Sequence, residues 1–519
     1  MKIIAQIFFL FWLLLAIPIF AFTQVNANQT FLTGYYGGLD VDSLYKNNVY
    51  IKRTESGLSF SETVTSYYDM GFTQHSTYCD EDGNPLLQWQ GCYLLDAKTL
   101  SPIENGELNT GPGTVANDFF DPPFCSHHTT SGDPGPGVET GYFIPWGNFI
   151  LDRGDQRNML LVYYRSIGLP QFDSTFIYLA GIDMEGAPDG GPTVTFKDSM
   201  PTKDINLKYG SIGAVRHGNG KDWYIVYSEA FSSNWYSILF DKDGIHEPVK
   251  SVISENDSTL YFEGWSVFSP DGSKYVIHHQ SGFFVLGFDR CTGKFNYLHS
   301  GKIPTDSIDV IWRFSEFSPN GRFLYLNNPT KIYQYDLEDP DFLGSETLVA
   351  SFDPTLDSGI PGVAGVWSAP FRGYDGMLYY WSANGVKKIS RMANPDQKGP
   401  DVGFTQYYYQ LPIYPPWFPP TLIDYRTPAL LEPCELSSSE ITPIQISFHP
   451  NPTNGMIKGE FPETKNVSQL KIVSITGKIV WSGKAVLFKE GIDLRYLSSG
   501  IYHVLLDGIY SGRFIKVGE

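Results

Sequence analysis

The sequence predicts an all-β fold, and three observations carry that prediction. Aromatic residues make up 15% of the chain, with 33 Tyr and 36 Phe, and such side chains favour the half-buried surface of a pleated sheet. The 51 Gly and 35 Pro punctuate the chain at short intervals, as the turns between many short strands require. Almost no segment shows a 3.6-residue apolar period, whereas short apolar runs between turn signals are common. Hydrophobic residues at 42% of the 519 supply enough material for a large core, which excludes global disorder.

The N-terminus is not part of that core. Met1-Lys2 is followed by an apolar run from Ile3 to Phe22, broken by Gln6 and Pro18. The run is close to membrane-spanning length, but Pro18 and the single flanking charge favour a cleaved secretory signal over an anchor. Residues 1–23 are assigned to it, with cleavage after Thr23 or, alternatively, after Ala27. No other stretch approaches 18 apolar residues, so no transmembrane segment is expected in the mature chain.

Residues 24–432 repeat one unit. Phe268-Ser269-Pro270-Asp271-Gly272 leads into Lys274–Ile277, and Phe317-Ser318-Pro319-Asn320-Gly321 leads into Arg322–Leu326, 49 residues later. Each is a strand, a tight turn and a returning strand. A third strand follows each, Gly282–Phe288 and Lys331–Asp336. A degenerate copy runs from Pro370 through Asp375-Gly376 to Ile389. Earlier, Trp223–Tyr227 pairs with Trp235–Phe240, and Met159–Tyr164 pairs with Phe176–Asp183. A period near 50 residues with about four short strands per unit is the pattern of a β-propeller. About 400 residues at that period make roughly seven blades. Two or three β-sandwiches are the competing architecture, but the repeated unit is longer than sandwich spacing.

Beyond a polar linker, 433–445, the character changes. Ser447-Phe448-His449 is stopped by Pro450-Asn451-Pro452-Thr453-Asn454-Gly455. Leu470–Ile475, the turn Thr476-Gly477-Lys478 and Ile479–Trp481 form a hairpin pattern. Leu497-Ser498-Ser499-Gly500-Ile501-Tyr502 opens another strand, and Arg513–Val517 closes the chain. Residues 446–519 therefore form a small C-terminal β-sandwich.

This tail resembles the C-terminal sorting domain of the type IX secretion system of Bacteroidetes. Pro450, Asn451, Pro452, Asn454 and Gly455 carry the first motif, Gly477 the second, Gly500 and Tyr502 the third, and Lys516 the end. His449 stands where that family often has Tyr. The resemblance implies export through the periplasm, recognition by the type IX secretion machinery, passage through an outer-membrane channel and removal of the tail. The mature protein would then be secreted or held at the cell surface. The blades resemble WD-like and YVTN-type repeats. The stretch Ala214–Trp223 and the exit Asp424-Tyr425-Arg426 are similar to uncharacterised Bacteroidetes propellers with such a tail. That resemblance implies no activity.

The charge is divided in the same way. The chain has 37 Lys and Arg against 56 Asp and Glu, a net −19, but residues 441–519 hold nine basic and six acidic residues. The acidity lies in the body, which argues against nucleic acid as a partner and makes a divalent cation conceivable.

No catalytic, cofactor or metal residue is assigned. Histidine pairs His127-His128 and His278-His279 are poor chelators on strands, where neighbouring side chains face opposite ways. His217 reads as a blade support. Asp80-Glu81-Asp82-Gly83-Asn84 lacks the twelfth-position Glu of a calcium loop, since Gly91 stands there, and reads as a turn. Among five cysteines, Cys79 and Cys92 bracket that turn and are the candidate disulfide; an odd count leaves one thiol over. Long loops around Gly111–Gly113 and Ser131–Gly137, near Cys125, His127 and Trp146, form a candidate ligand rim. Pro415–Pro420 reads as closure packing at the propeller exit. Two functions remain open. One is a binding module for a glycan, peptide or protein. The other is a lactonase-like hydrolase or a lyase with a metal in the central channel.

Overall fold

A computed structural model of the chain describes residues 29–518 apart from 34–45, 63, 67–74, 110–146, 154, 168–173, 202–204, 208–209, 254–263, 280–281, 305–312, 357–364, 384–385, 417, 433, 435–446, 461–468, 475–477, 485 and 507–508. The segments 1–23, the histidine pair at 127–128 and the loop rim lie outside these. The chain divides into two compact units, Met1–Pro433 and Cys434–Glu519.

The first unit is a seven-bladed β-propeller. Its sheets are built from antiparallel strands in chain order. The seven inner strands are Thr30–Thr33, Ser76–Cys79, Phe149–Asp152, Gly213–Arg216, Gly264–Phe268, Phe314–Phe317 and Val366–Arg372; those of blades 1 to 3 pack side by side, as do those of blades 4 to 7. Blades 2 and 3 also touch at their rims through a single bridge between Glu104 and Thr193. While outer strands such as Phe404–Gln410 are half-buried or exposed, inner strands and several second strands bury both faces against the next blade, so these segments read as apolar runs rather than alternations. Leu378–Ala383, for example, is buried at every position.

One turn chemistry recurs after the inner strands. Asp271 Oδ1 accepts the Ser273 N–H at 3.0 Å while the Gly272 N–H reaches Ser269 O at 2.8 Å. Asn320 Oδ1 accepts the Arg322 N–H at 2.9 Å while the Gly321 N–H reaches Ser318 O at 2.8 Å. Gly272 and Gly321 have φ of +70° and +73°, a region that glycine enters without a Cβ clash. His217–Asp222 makes the same turn, with Asn219 as acceptor and Gly220 at +73°. His217 is thus a turn residue, its Nδ1 accepting the Asn219 N–H at 3.1 Å. Asp80–Asn84 is also such a turn, closed by Asp80 Oδ1 on the Asn84 N–H at 2.8 Å.

Aromatic pairs fill the gaps between blades. Trp89 meets Tyr163 at 5.5 Å, Trp235 meets Tyr275 at 6.0 Å, and Phe283 meets Tyr335 at 5.4 Å. Blade 7 closes on blade 1 in one apolar cluster that includes Phe31, Ile51, Phe371 and Trp381. Arg53 Nη1 adds a bond to Arg372 O at 3.0 Å across that joint.

The disulfide expectation is corrected. Cys79 is a free, buried thiol, and its Sγ donates to Thr30 O at 3.1 Å. Cys92 is disulfide-bonded, as are Cys291 and Cys434, so the Cys79–Cys92 bridge does not form. The register explains why. Cys79 pairs with Pro85 at the turn end of the hairpin, while Ser76 pairs with Trp89 at the other end. Cys92 lies beyond Trp89, several strand residues of ~3.3 Å each away from Cys79.

The second unit is a small β-sandwich. Ser447–His449, Met456–Glu460 and Ile492–Asp493 form one sheet. Ile479–Lys484, Gln469–Ser474, Gly500–Leu506 and Ile509–Lys516 form the other. Phe448, Ile457, Ile472, Val504 and Phe514 are in the core between them. A five-residue helix, Val486–Glu490, lies in this unit.

Candidate functional site

The inner strands converge on a channel, and the chain's own exit segment runs through it. Six inner strands begin on one face, called here the start face, and end at the recurring turns on the turn face. Trp381 Nε1 donates to Pro416 O at 2.8 Å. Phe418 packs among Trp265, Phe314 and Ala369 of three inner strands. The Thr421 N–H bonds to His75 O at 3.3 Å, and Thr421 Oγ1 accepts the Gly147 N–H at 3.1 Å, both beside strand starts. Deeper in, the Tyr425 hydroxyl donates to Ile150 O. Asp424 lies 3.6 Å from Arg372, at the end of its strand. The segment leaves at the turn face, where Arg290 Nη2 donates to Pro428 O at 2.7 Å and the Leu430 N–H reaches Gly218 O at 2.8 Å.

Blade 1 explains why the segment is there. Its innermost strand starts at the turn face, where Thr30 Oγ1 donates to Gly83 O at 2.7 Å, so it runs against the other six. The exit segment takes the direction that an inner strand of blade 1 would take.

Beside this segment lies a cavity of about 60 Å³, room for a few water-sized groups. Arg53, Glu316, Arg372, Asp424 and Arg426 are its charged lining. Arg372 Nε is 3.3 Å from Glu316 Oε1, and its Nη2 donates to Phe268 O at 3.2 Å. Arg426 Nε is 3.7 Å from Asp424 Oδ1. The Arg426 and Arg53 guanidiniums lie 3.8 and 4.6 Å from the Tyr374 ring centre, within cation–π range. Burial pushes the Glu316 carboxyl up to about 7, with Arg372 opposing. Burial acts the same way on Asp424, but Arg372, Arg426 and the Arg426 N–H outweigh it and hold that carboxyl below its usual range. A divalent cation does not fit this donor set, because two carboxylates share the cavity with three guanidiniums.

His278 and His279 serve the core. His278 Nδ1 bonds Phe314 O at 2.8 Å, and burial lowers its pKa to about 3. His279 stacks on Phe284 at 6.0 Å. No group of three or more His, Cys, Asp or Glu converges as a metal site among the described residues. The sequence reading did not single out Arg53, Glu316 or Arg372. A charged residue inside an otherwise apolar inner strand, as in Phe314-Ser315-Glu316-Phe317, was the available signal.

In the second unit, the motif residues gather at one corner. Pro450, Asn451, Pro452 and Asn454 are exposed, and Asn451 Oδ1 accepts the Ile515 N–H at 2.9 Å. Thr453 bridges to Lys516 in parallel, so the first motif lies against the last strand. Lys516 is buried, its ammonium on Val517 O at 2.6 Å. Tyr502 stacks on Phe514 at 5.5 Å and donates to Ser498 O at 2.9 Å. Gly500 begins that strand, paired with Lys516; Gly477 lies outside the described residues.

Comparison with known proteins finds a family match within the second unit and distant likenesses among solved structures. Residues 447–510 match the secretion system C-terminal sorting domain. No curated protein matches the chain in sequence. Among solved structures, the β-propeller domain of Cps50 (Swd1) from Myceliophteria thermophila is similar at 11% identity and TM-score 0.33, over 69% of this chain and 96% of that one. PorZ, a surface component of the type IX secretion system of Porphyromonas gingivalis, is similar at 9% identity and TM-score 0.28, over 91% of this chain and 74% of that one. An oligogalacturonate lyase in complex with manganese is similar at 13% identity and TM-score 0.30, over 68% and 86%. No long apolar helix occurs among the described residues. The chain is a β-propeller followed by a secretion-system C-terminal sorting domain, which marks it as a secreted or outer-surface protein.

Proposed function

We propose that the exported propeller is a binding module, whose ligand is a glycan, peptide or protein engaged at the blade rims rather than in the channel. The threaded exit segment carries this reading. Phe418, Ile423 and Tyr425 fill the space in which a propeller enzyme would seat its substrate, and they are buried there. The cavity left beside them admits only a few water-sized groups. Long loops between blades are then the surface left to meet a partner. The sorting domain delivers the module by engaging the type IX secretion machinery.

The enzyme reading retains one observation in its favour. The buried Glu316 and half-buried Asp424 carboxyls are pushed in opposite directions, an arrangement that acid–base sites use. Two measurements separate the readings. The exported protein is screened for retention on arrays of surface polysaccharides and peptides, and the same preparation is assayed for lactone hydrolysis and polysaccharide cleavage. Saturable retention without turnover supports the module. Turnover abolished by Glu316→Gln would replace it with the enzyme. Export is tested by deleting residues 447–519: the propeller should stay folded and accumulate in the periplasm, and normal surface delivery would overturn the sorting role.

A further inference from the structure

The charges around the channel cavity do not balance, and their ion pairs are long. Among the described residues, three guanidiniums, Arg53, Arg372 and Arg426, face two carboxylates, Glu316 and Asp424, so this lining is net positive even with both carboxyls ionised. Each guanidinium–carboxylate approach in it is long: 3.3 Å for Arg372 to Glu316, 3.6 Å for Arg372 to Asp424 and 3.7 Å for Arg426 to Asp424. Charge-assisted N–H···O bonds normally close to about 2.7–2.9 Å. Arg372 is 9% exposed, and its Nη1, 3.6 Å from Asp424 Oδ2, makes no hydrogen bond. A buried N–H that makes no hydrogen bond is costly, and a polar approach longer than about 3.5 Å leaves room for a third group between the partners. The cavity that separates them, about 60 Å³, has room for such a group.

We propose that this cavity binds one small monoanion, chloride or a one- or two-carbon carboxylate, between the Arg372 and Arg426 guanidiniums. The anion neutralises the cluster and satisfies Arg372 Nη1. It thereby fastens the exit segment, which supplies Arg426 and Asp424, to the inner strands of blades 6 and 7, which supply Glu316 and Arg372. The site is independent of the rim reading.

The test is the thermal melting of the exported protein in sodium chloride, sodium formate and sodium gluconate at matched ionic strength. Gluconate is a monoanion too large for the cavity. A saturable rise in melting temperature with chloride and formate over gluconate is expected, since a ligand bound only by the folded state stabilises it. Arg426→Gln should raise the half-saturating concentration at least several-fold. Glu316→Gln, which removes a negative charge from the lining, should lower it several-fold. Equal melting in the three salts would overturn the proposal, as would a chloride response unchanged in Arg426→Gln. Crystals grown in bromide provide a readout that needs no variant: an anomalous peak between Arg372 and Arg426 supports the site, and a cavity without one refutes it.

Discussion

Arg290 is the side chain whose loss should do most to loosen the exit segment. It is 3% exposed at the turn face and donates to four backbone carbonyls: Arg216 O at 2.8 Å, Asp271 O at 2.9 Å, His217 O at 3.2 Å and Pro428 O at 2.7 Å. These belong to the turns of blades 4 and 5 and to the exit segment. Arg290→Met keeps most of the stem and removes every donor. A bond from a charged group contributes about 1.5–3 kcal/mol when fully buried; water can reach carbonyls on this face, so about 1 kcal/mol each is the reasonable figure, or about 4 kcal/mol in all. With an unfolding entropy of about 2.1 cal/mol/K per residue, a body of ~400 residues loses about 5 °C in Tm. Calorimetry measures this directly. Limited trypsin digestion reads the local effect, because cleavage after Arg426 requires the segment to leave the channel. Arg290→Lys should recover part of the loss, since an ammonium has three donors but no fork. A Tm for Arg290→Met within ~1 °C of the parent, with unchanged protection at Arg426, would refute the reasoning.

Three further predictions concern single residues. Glu316 is raised from 4.5 to about 7 by burial, so between those values the folded chain holds a proton that the unfolded chain has released. The stability this provides is complete below pH 4.5 and is lost as pH rises through 7, by at most about 3 kcal/mol. Denaturant unfolding at pH 5 and pH 8 should therefore show a larger loss for the parent than for Glu316→Gln, and equal losses would contradict the assignment. Burial pushes the Cys79 thiol up to about 12. Native protein should leave it unalkylated by iodoacetamide for hours, while unfolded protein reacts at once; fast native labelling would show that it is not shielded. Gly455 has φ of +152°, and a Cβ there would lie 2.2 Å from Arg495 Cγ and 3.1 Å from Arg495 Cα. Gly455→Ala should destabilise the sorting domain by about 1–3 kcal/mol without moving the melting transition of the propeller, and a wild-type unfolding curve for the tail would count against the strain.

Much of the fold was legible because its determinants are local. The Ser-Pro-Asp-Gly and Ser-Pro-Asn-Gly turns work through an Asx acceptor and a positive-φ glycine a residue or two away. Any chain with that tetrapeptide between apolar runs makes the same turn. The stretch from His217 to Asp222 hides the same turn under different residues, because only the Asn-Gly pair is required. The cysteines show the limit of local reasoning. Cys79 and Cys92 bracket a turn in sequence, yet the register sends them to opposite ends of the hairpin.

What the sequence by itself determined was the all-β class, the period of the blades and the sorting tail, since turn chemistry, strand length and ordered motifs are all short-range properties. The tertiary structure decided the channel. Arg53, Glu316, Arg372 and Arg426 are as much as 373 residues apart, and they meet only because seven sheets close into a ring with the exit segment inside it. Ring closure is a long-range event: Thr30–Thr33 runs against the other six inner strands, and the room beside them is taken by residues near Asp424. No local pattern encodes that vacancy, because it exists only after the other six inner strands have packed around it.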